Sequence, residues 1–222
     1  MFINNIVKKK KKPKKLLHPS YAPKYGKKFL ISDLHFDHAN IIKYCRSDMF
    51  AKNDVLTMNE VLVSSWNNVV SDHDTVYFLG DLIPDFYKPF YFKRFFHYTD
   101  ERLKGKIICI KGNHESPFGK RLPRFKPLRY KGINFLLIHN LATIKEIKED
   151  YDFSNFKYDW VIHGHVHNNK MGKYPFINGD RKTINVSCEV LQYFPLDLDH
   201  LLSLDLNSIK RMNTISSPII RK

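Results

Sequence analysis

The chain predicts a layered α/β fold whose strand ends deliver polar groups to one edge. Six short apolar runs, rich in β-branched and aromatic residues, read as buried strands. Helically spaced apolar residues separate the first two runs, and alternating strands and helices imply sheets covered by helices. Five of the runs pass directly into motifs built from Asp, His, Asn and Gly.

In chain order, Phe29–Ile31 leads into Ser32-Asp33-Leu34-His35. Val55, Met58, Leu62, Trp66 and Val69, spaced by threes and fours, predict a helix. Thr75–Leu79 precedes Gly80-Asp81. Residues 85–102 are a second candidate helix, in which Pro89 must sit in the first turn or break it. Ile107–Ile110 precedes Gly112-Asn113-His114-Glu115, Phe135–Ile138 ends at His139, and Trp160–Ile162 runs into His163-Gly164-His165-Val166-His167. Thr183–Val186 is the sixth run. In α/β folds ligands bind at loops leaving strand ends, so five such loops read as one site.

A length of 222 residues suits one domain. The globular pattern begins at Lys28, so residues 1–27 are expected to be a basic, flexible tail and 28–222 the domain. The net charge is +15, and roughly +8 remains once the seven lysines between Lys8 and Lys15 are set aside. Such a body favours anionic partners, nucleotides or nucleic acid among them, although a general bias toward Lys, Asn, Ile, Phe and Tyr competes as an explanation. The lysine run reads as a solvated tail, a nucleic-acid tether or a nuclear localisation signal; like charges repel and favour disorder. Cys45, Cys109 and Cys188 follow no disulfide or metal spacing, which predicts a reducing, cytoplasmic location, with the lysines between Lys8 and Lys15 allowing a nuclear one in a eukaryotic or viral setting. Apolar stretches of about five to seven residues exclude a membrane-spanning helix and a membrane partner, and the N-terminus does not read as a signal peptide.

Asp, His and Asn without thiolate suit Mn²⁺, Fe, Ni, Co or Zn and poorly suit a cysteine-based structural zinc. An Asp-x-His at a strand end is expected to point two side chains to one side, because alternate residues share a face, and His165-Val166-His167 repeats the spacing. Seven candidate ligands exceed the needs of one four-coordinate metal but suffice for two sharing a carboxylate.

The ordered set Asp33-x-His35, Gly80-Asp81, Gly112-Asn113-His114-Glu115, His139 and Gly164-His165-x-His167 resembles the calcineurin-like metallophosphoesterase superfamily, particularly its small single-domain bacterial and phage-type members. The resemblance covers residues 28 to about 200. It implies a four-layer αββα sandwich: two mixed β-sheets packed face to face and flanked by helices. It implies two divalent metal ions, Mn²⁺ foremost with Fe, Ni, Co or Zn as alternatives. Metal one would take Asp33, His35, Asp81 and His167; metal two would take Asp81, Asn113, His139 and His165, with Asp81 bridging. His114 would be the catalytic non-ligand, assisting the leaving group. Glu115 either orients it or merely follows it, His38 could touch the phosphate, and His163 could support the ligands from behind. Small relatives also suggest a homodimer.

Departures from the pattern narrow the substrate. The protein phosphatases of the superfamily carry Gly-Asp-x-x-Asp-Arg-Gly, whereas Pro84 replaces the second Asp here and Asp85 comes one residue late. The acid partner of His114 is therefore expected to be missing and protein phosphatase activity is disfavoured. The chain lacks the length for the capping domain of the large repair nucleases, and it keeps Asp33 where lariat-debranching members have Cys. Basic loops are expected beside the site, one with Lys120, Arg121, Arg124, Lys126, Arg129 and Lys131, the other with Lys170, Lys173, Arg181 and Lys182. The aromatic residues of 86–98 would either stack bases or, more simply, bury themselves in the core. The reading is a phosphodiesterase acting on nucleotide or nucleic-acid diesters through a two-metal-activated hydroxide. A phosphomonoesterase on a small substrate, or a basic nucleic-acid-binding protein with an inactive metal site, are its alternatives.

Overall fold

The computed structural model describes residues 14–15, 20–21, 26–87 and 89–215. Its strands and helices begin with β1 (Lys14–Lys15), β2 (Ser20–Tyr21), β3 (Lys28–Ile31), α1 (Ala39–Cys45), α2 (Val55–Val69) and β4 (Thr75–Phe78). α3 (Tyr91–Phe96), β5 (Lys106–Cys109), β6 (Phe125–Tyr130), β7 (Ile133–Ile138), α4 (Ile144–Asp150) and β8 (Tyr151–Asp152) follow. β9 (Trp160–His163), β10 (Ile177–Asn178), β11 (Thr183–Asn185), β12 (Leu196–Asp197), α5 (Leu198–Ser203) and β13 (Arg211–Met212) complete it. Most of the 1–27 stretch lies outside the described residues, but β1 pairs with β8 and β2 pairs with β6.

The first three apolar runs form adjacent parallel strands in a four-stranded sheet ordered β12-β3-β4-β5. Every residue of β3 and β4 is buried, the mark of strands covered on both faces. The other three runs meet in a seven-stranded sheet ordered β13-β10-β11-β9-β7-β6-β2. Leu30, Ile31, Val76 and Phe78 of the small sheet share one buried cluster with Leu137, Ile162 and Ile184 of the large sheet. Leu136, Ile138 and Val161 point to the other face of the large sheet, where Ile147 of α4 covers them. α5 packs on β3 and β12. Two mixed sheets packed face to face and flanked by helices give the expected αββα sandwich.

α2 spans the predicted helix. Asp54 caps it by accepting the backbone N–H of Thr57 at 3.1 Å, and Met58, Leu62, Trp66 and Val69 form its buried stripe. The Trp66 indole N–H donates to the Lys104 carbonyl at 2.9 Å, so burying that polar atom costs little. The second candidate helix breaks at Pro89. A 3₁₀ turn (Asp85–Tyr87) precedes α3, and a π-helical turn (His97–Arg102) follows it. Tyr91, Phe95 and Tyr98 enter the core, whereas Phe86, Phe90 and Phe96 stay exposed.

The basic loops need correction. Residues 125–130 form β6, antiparallel to β7 with Phe125 opposite Ile138 and Tyr130 opposite Ile133. Lys126 and Arg129 are thus on a strand, and Lys131 turns the hairpin at the end remote from His139. Arg181 and Lys182 also lie at that remote end, because Thr183 pairs with Val161 while Asn185 pairs with His163. Lys, Pro and Arg interrupt the apolar pattern of β6 and hide it from a hydrophobicity reading. Among the described residues, no helix is long and apolar enough to cross a membrane, and all three cysteines are free thiols.

The two sheets join at the motif-bearing edge. Beyond the ends of β3 and β11, the Ser32 N–H donates to the Val186 carbonyl at 2.9 Å and the Cys188 N–H donates to Ser32 at 3.0 Å. Loops from both sheets are therefore held over one junction.

Candidate metal centre

All seven expected ligands converge at that junction. Side-chain donor atoms of Asp33, His35 and His167 lie within 4.8 Å of one another, as do those of Asp81, His139 and His165. A third set, His35, Asp81 and His114, overlaps both. Asp81 stands in the middle: its Oδ2 is 3.2 Å from His139 Nε2 and 3.7 Å from His35 Nε2. His167 Nε2 is 3.9 Å from Asp33 Oδ1, and the Asn113 amide lies 2.9 Å from His165 Nδ1.

The backbone at these positions is unusual. Asp33, His35, Asp81, His165 and His167 all adopt positive φ, between 47° and 73°, where residues other than glycine are uncommon. Asp33 and His35 are thus left-handed residues flanking Leu34 rather than parts of the extended backbone expected from their spacing, and Leu34 is fully buried in the core between them. Such conformations persist where surrounding contacts over-determine them. Here the contacts are specific. Asp33 accepts the Ser32 hydroxyl and, at 2.9 Å, the His165 N–H, while Asp81 Oδ1 accepts the His114 N–H at 3.0 Å. A Cβ on Gly164 would overlap Ser32 Oγ and Asp33 Oδ2, and one on Gly112 would come within 2.7 Å of Glu115 Oε2.

Glu115 has a role outside both sequence alternatives. Its Oε2 accepts the backbone N–H groups of Asp81 and Gly112, and its Oε1 that of Leu82, each at 2.8 Å. One fully buried carboxylate thereby locks the Gly80-Asp81 loop to the loop after β5. Burial and the neighbouring Asp81 push its pKa up to about 7, against the pull of the three N–H groups.

Two further residues escaped the sequence reading. Arg46, fully buried at the end of α1, donates through Nε to Glu189 Oε1 at 2.7 Å and through its terminal nitrogens to the carbonyls of Asp33 (2.7 Å) and Leu34 (2.9 Å). Glu189 Oε2 lies 3.0 Å from His167 Nδ1. On the other side, His139 Nδ1 donates to the Leu79 carbonyl at 2.8 Å, leaving Nε2 as the lone-pair nitrogen facing Asp81. Both rings are thus fixed from behind, as metal-binding histidines generally are. These partners are 143 and 60 residues apart, so no local spacing announces them.

Asp85 corrects the expectation that His114 lacks an acid. The 3₁₀ turn after Pro84 brings Asp85 Oδ1 to 3.3 Å from His114 Nδ1, and Ser116 Oγ donates to Asp85 Oδ2 at 3.1 Å. The turn absorbs the one-residue offset. His38 packs on the same cluster, with its Nδ1 3.2 Å from His35 Nδ1. Buried His163 turns Nδ1 to the Gly164 carbonyl at 3.0 Å, behind the ligand loop.

The electrostatics fit a cation. Burial would raise Asp81, but His139 and His35 hold it far below the usual carboxylate range. Burial lowers His35 and His165, favouring the neutral ring that ligates. Burial would do the same to His139, yet Asp81 outweighs it and raises the ring to about 9; Glu189 likewise raises His167. Those two rings gain protons where a cation would supply the same charge. Moreover, His35 Nε2 is buried with no hydrogen-bond partner, an expensive arrangement unless a metal takes the lone pair, and His139 Nε2 faces only the Asp81 carboxylate. The all-N/O donor set suits a divalent ion of the manganese-to-zinc series.

A fold of two packed mixed sheets with an Asp/His cluster on their shared edge defines a metallophosphoesterase-like protein. The family model of the calcineurin-like phosphoesterase superfamily domain matches residues 27–186, and the chain belongs to that family of phosphoester hydrolases, which generally bind divalent metals. The chain is 44% identical over 176 residues to an uncharacterized protein of Methanocaldococcus jannaschii, covering 79% of this chain and 89% of that one. It also resembles the crystal structure of a protein of unknown function from Aquifex aeolicus, with a TM-score of 0.58 and 24% identity over 81% of this chain and 99% of the other.

Glu115→Gln should test the clamp. An amide nitrogen would face a backbone N–H, so stability should fall by about 1–3 kcal/mol in a denaturant titration. Unchanged stability would mean that the carboxylate does not tie the two loops together.

Proposed function

We propose that this protein is a metal-dependent phosphodiesterase acting on nucleotide or nucleic-acid diesters, with two divalent ions, Mn²⁺ foremost. The observation that carries the reading is Asp81: one buried carboxylate shared by two donor groupings, with Oδ2 3.7 Å from His35 Nε2 on one side and 3.2 Å from His139 Nε2 on the other, as a bridging ligand would be. Asp33, His35 and His167 would complete one site, and Asn113, His139 and His165 the other. Bound there, the ions would make hydroxide available near neutral pH and offset charge on the phosphate.

The remaining steps belong to the chain itself. His114, at the open side of the cluster and about a quarter exposed, would donate a proton to the leaving oxygen. Asp85 would hold its ring through Nδ1, leaving Nε2 to face the substrate. Glu115 would keep Asp81 and Gly112 in register while the phosphate changes charge. Beside His139, a cavity of about 150 Å³ lined by Lys111, Asn113, Asn140, Thr143 and Arg124, the last held by Glu146 and Asp150, leaves room beyond the cluster, which supports a substrate larger than a simple monoester. The net charge of +15 supports a polyanionic partner and a salt-dependent interaction. A cytoplasmic setting fits the free thiols.

Hydrolysis of bis-p-nitrophenyl phosphate with added Mn²⁺ tests the reading. His114→Ala should keep its metal content while turnover falls at least about a hundredfold; loss of metal would make His114 a ligand. Asp81→Asn should weaken both metals and abolish turnover, and wild-type metal content in that variant would contradict a bridging role. Monoester turnover exceeding diester turnover would favour the phosphomonoesterase. Nucleic-acid binding unaffected by chelator, without turnover, would favour the binding protein.

A further inference from the structure

We propose that Phe86 is a stacking platform for the base of the leaving nucleoside, an inference that rests on the phosphodiesterase reading. Isolated exposed phenylalanines are ordinary on protein surfaces, so exposure alone carries nothing. The placement is what matters. Phe86 is 60% exposed although Tyr91, Phe95 and Tyr98 of the same segment are taken into the core. Its ring meets the His38 ring at 5.8 Å, edge to face. The His38 ring lies 5.9 Å from that of His114 and 5.2 Å from that of His35. A continuous row of flat rings thus runs from the metal cluster to the surface: His35, His38, Phe86, with His114 alongside.

The row has a direction set by chemistry. A group that protonates the leaving oxygen must stand on the leaving side of the phosphorus. The leaving nucleoside therefore projects past His114, toward His38 and Phe86, while the retained portion lies toward the opposite side. Phe86 is also tied to the proton donor, since the 3₁₀ turn that carries it includes Asp85, the partner of His114. A base seated on Phe86 would be aligned with the group that releases it. An aromatic face accepts any base, so the platform confers a preference for nucleosides without sequence specificity.

The test compares a dinucleoside monophosphate with two analogues, each abasic at one end, and product analysis identifies the leaving side. Phe86→Ala should reduce about tenfold the ratio of kcat/KM for the intact dinucleotide over the analogue abasic on the leaving side, the reach of one base–aromatic stack. Phe86→Trp should restore the ratio. The ratio over the other analogue should not move. An unchanged ratio, or a ratio lowered equally in Phe86→Trp, would overturn the platform while leaving the diesterase intact. Wild-type protein that cleaves bis-p-nitrophenyl phosphate but none of the three nucleotides would also overturn it. Failure on every diester would remove the underlying reading, and the platform with it.

Discussion

Asp33 and Asp81 are buried beside one another where the two sheets meet, and the rest of the architecture depends on keeping them there. Burying carboxylates is expensive unless charge and hydrogen bonds compensate. The protein supplies compensation in three forms: histidine rings, backbone N–H groups from opposing loops, and loops stitched across the sheets by Ser32 and Ser187. A divalent cation would complete the balance. The same cluster that is costly as a packing problem is, for that reason, a ready cation site.

Precision comes from buried residues that hold the loops from behind. Glu115 joins two loops of the small sheet through three N–H groups, while the Arg46–Glu189 pair joins the chain after β3 to His167, beyond β9 of the large sheet. Each is a buried charge with its partners in place, which makes removal of one partner costly. Left-handed backbone at Asp33, His35, Asp81, His165 and His167 shows how tightly these loops are determined. Such backbone persists where surrounding contacts over-determine it, as they do at this cluster.

Much of this was legible in the chain because buried strands and their polar exits have short-range signatures. β3, β4, β7 and β9 read as apolar runs, and the motif after each of them reached the common site. The Val55–Val69 stripe likewise announced α2. What stayed hidden needs tertiary structure to become visible. Arg46 and Glu189 are 143 residues apart, and Glu115 binds backbone atoms whose partners carry no side-chain signal. Asp85 was discounted for arriving one residue late, yet a 3₁₀ turn moved it onto His114. β6 is not legible because Lys126, Pro127 and Arg129 break its apolar pattern, so Arg129 and Lys131 read as a rim beside the site although the hairpin carries them to the far end.

In the two-metal centre proposed, Asp81 would divide one cluster into two adjoining cation sites. Anomalous diffraction at the manganese edge, from crystals equilibrated with Mn²⁺, tests it most directly. Two peaks about 3.5–4 Å apart are expected on either side of Asp81, one against Asp33, His35 and His167, the other against Asn113, His139 and His165. A single peak, or a peak ligated by His114 in place of either set, would contradict it.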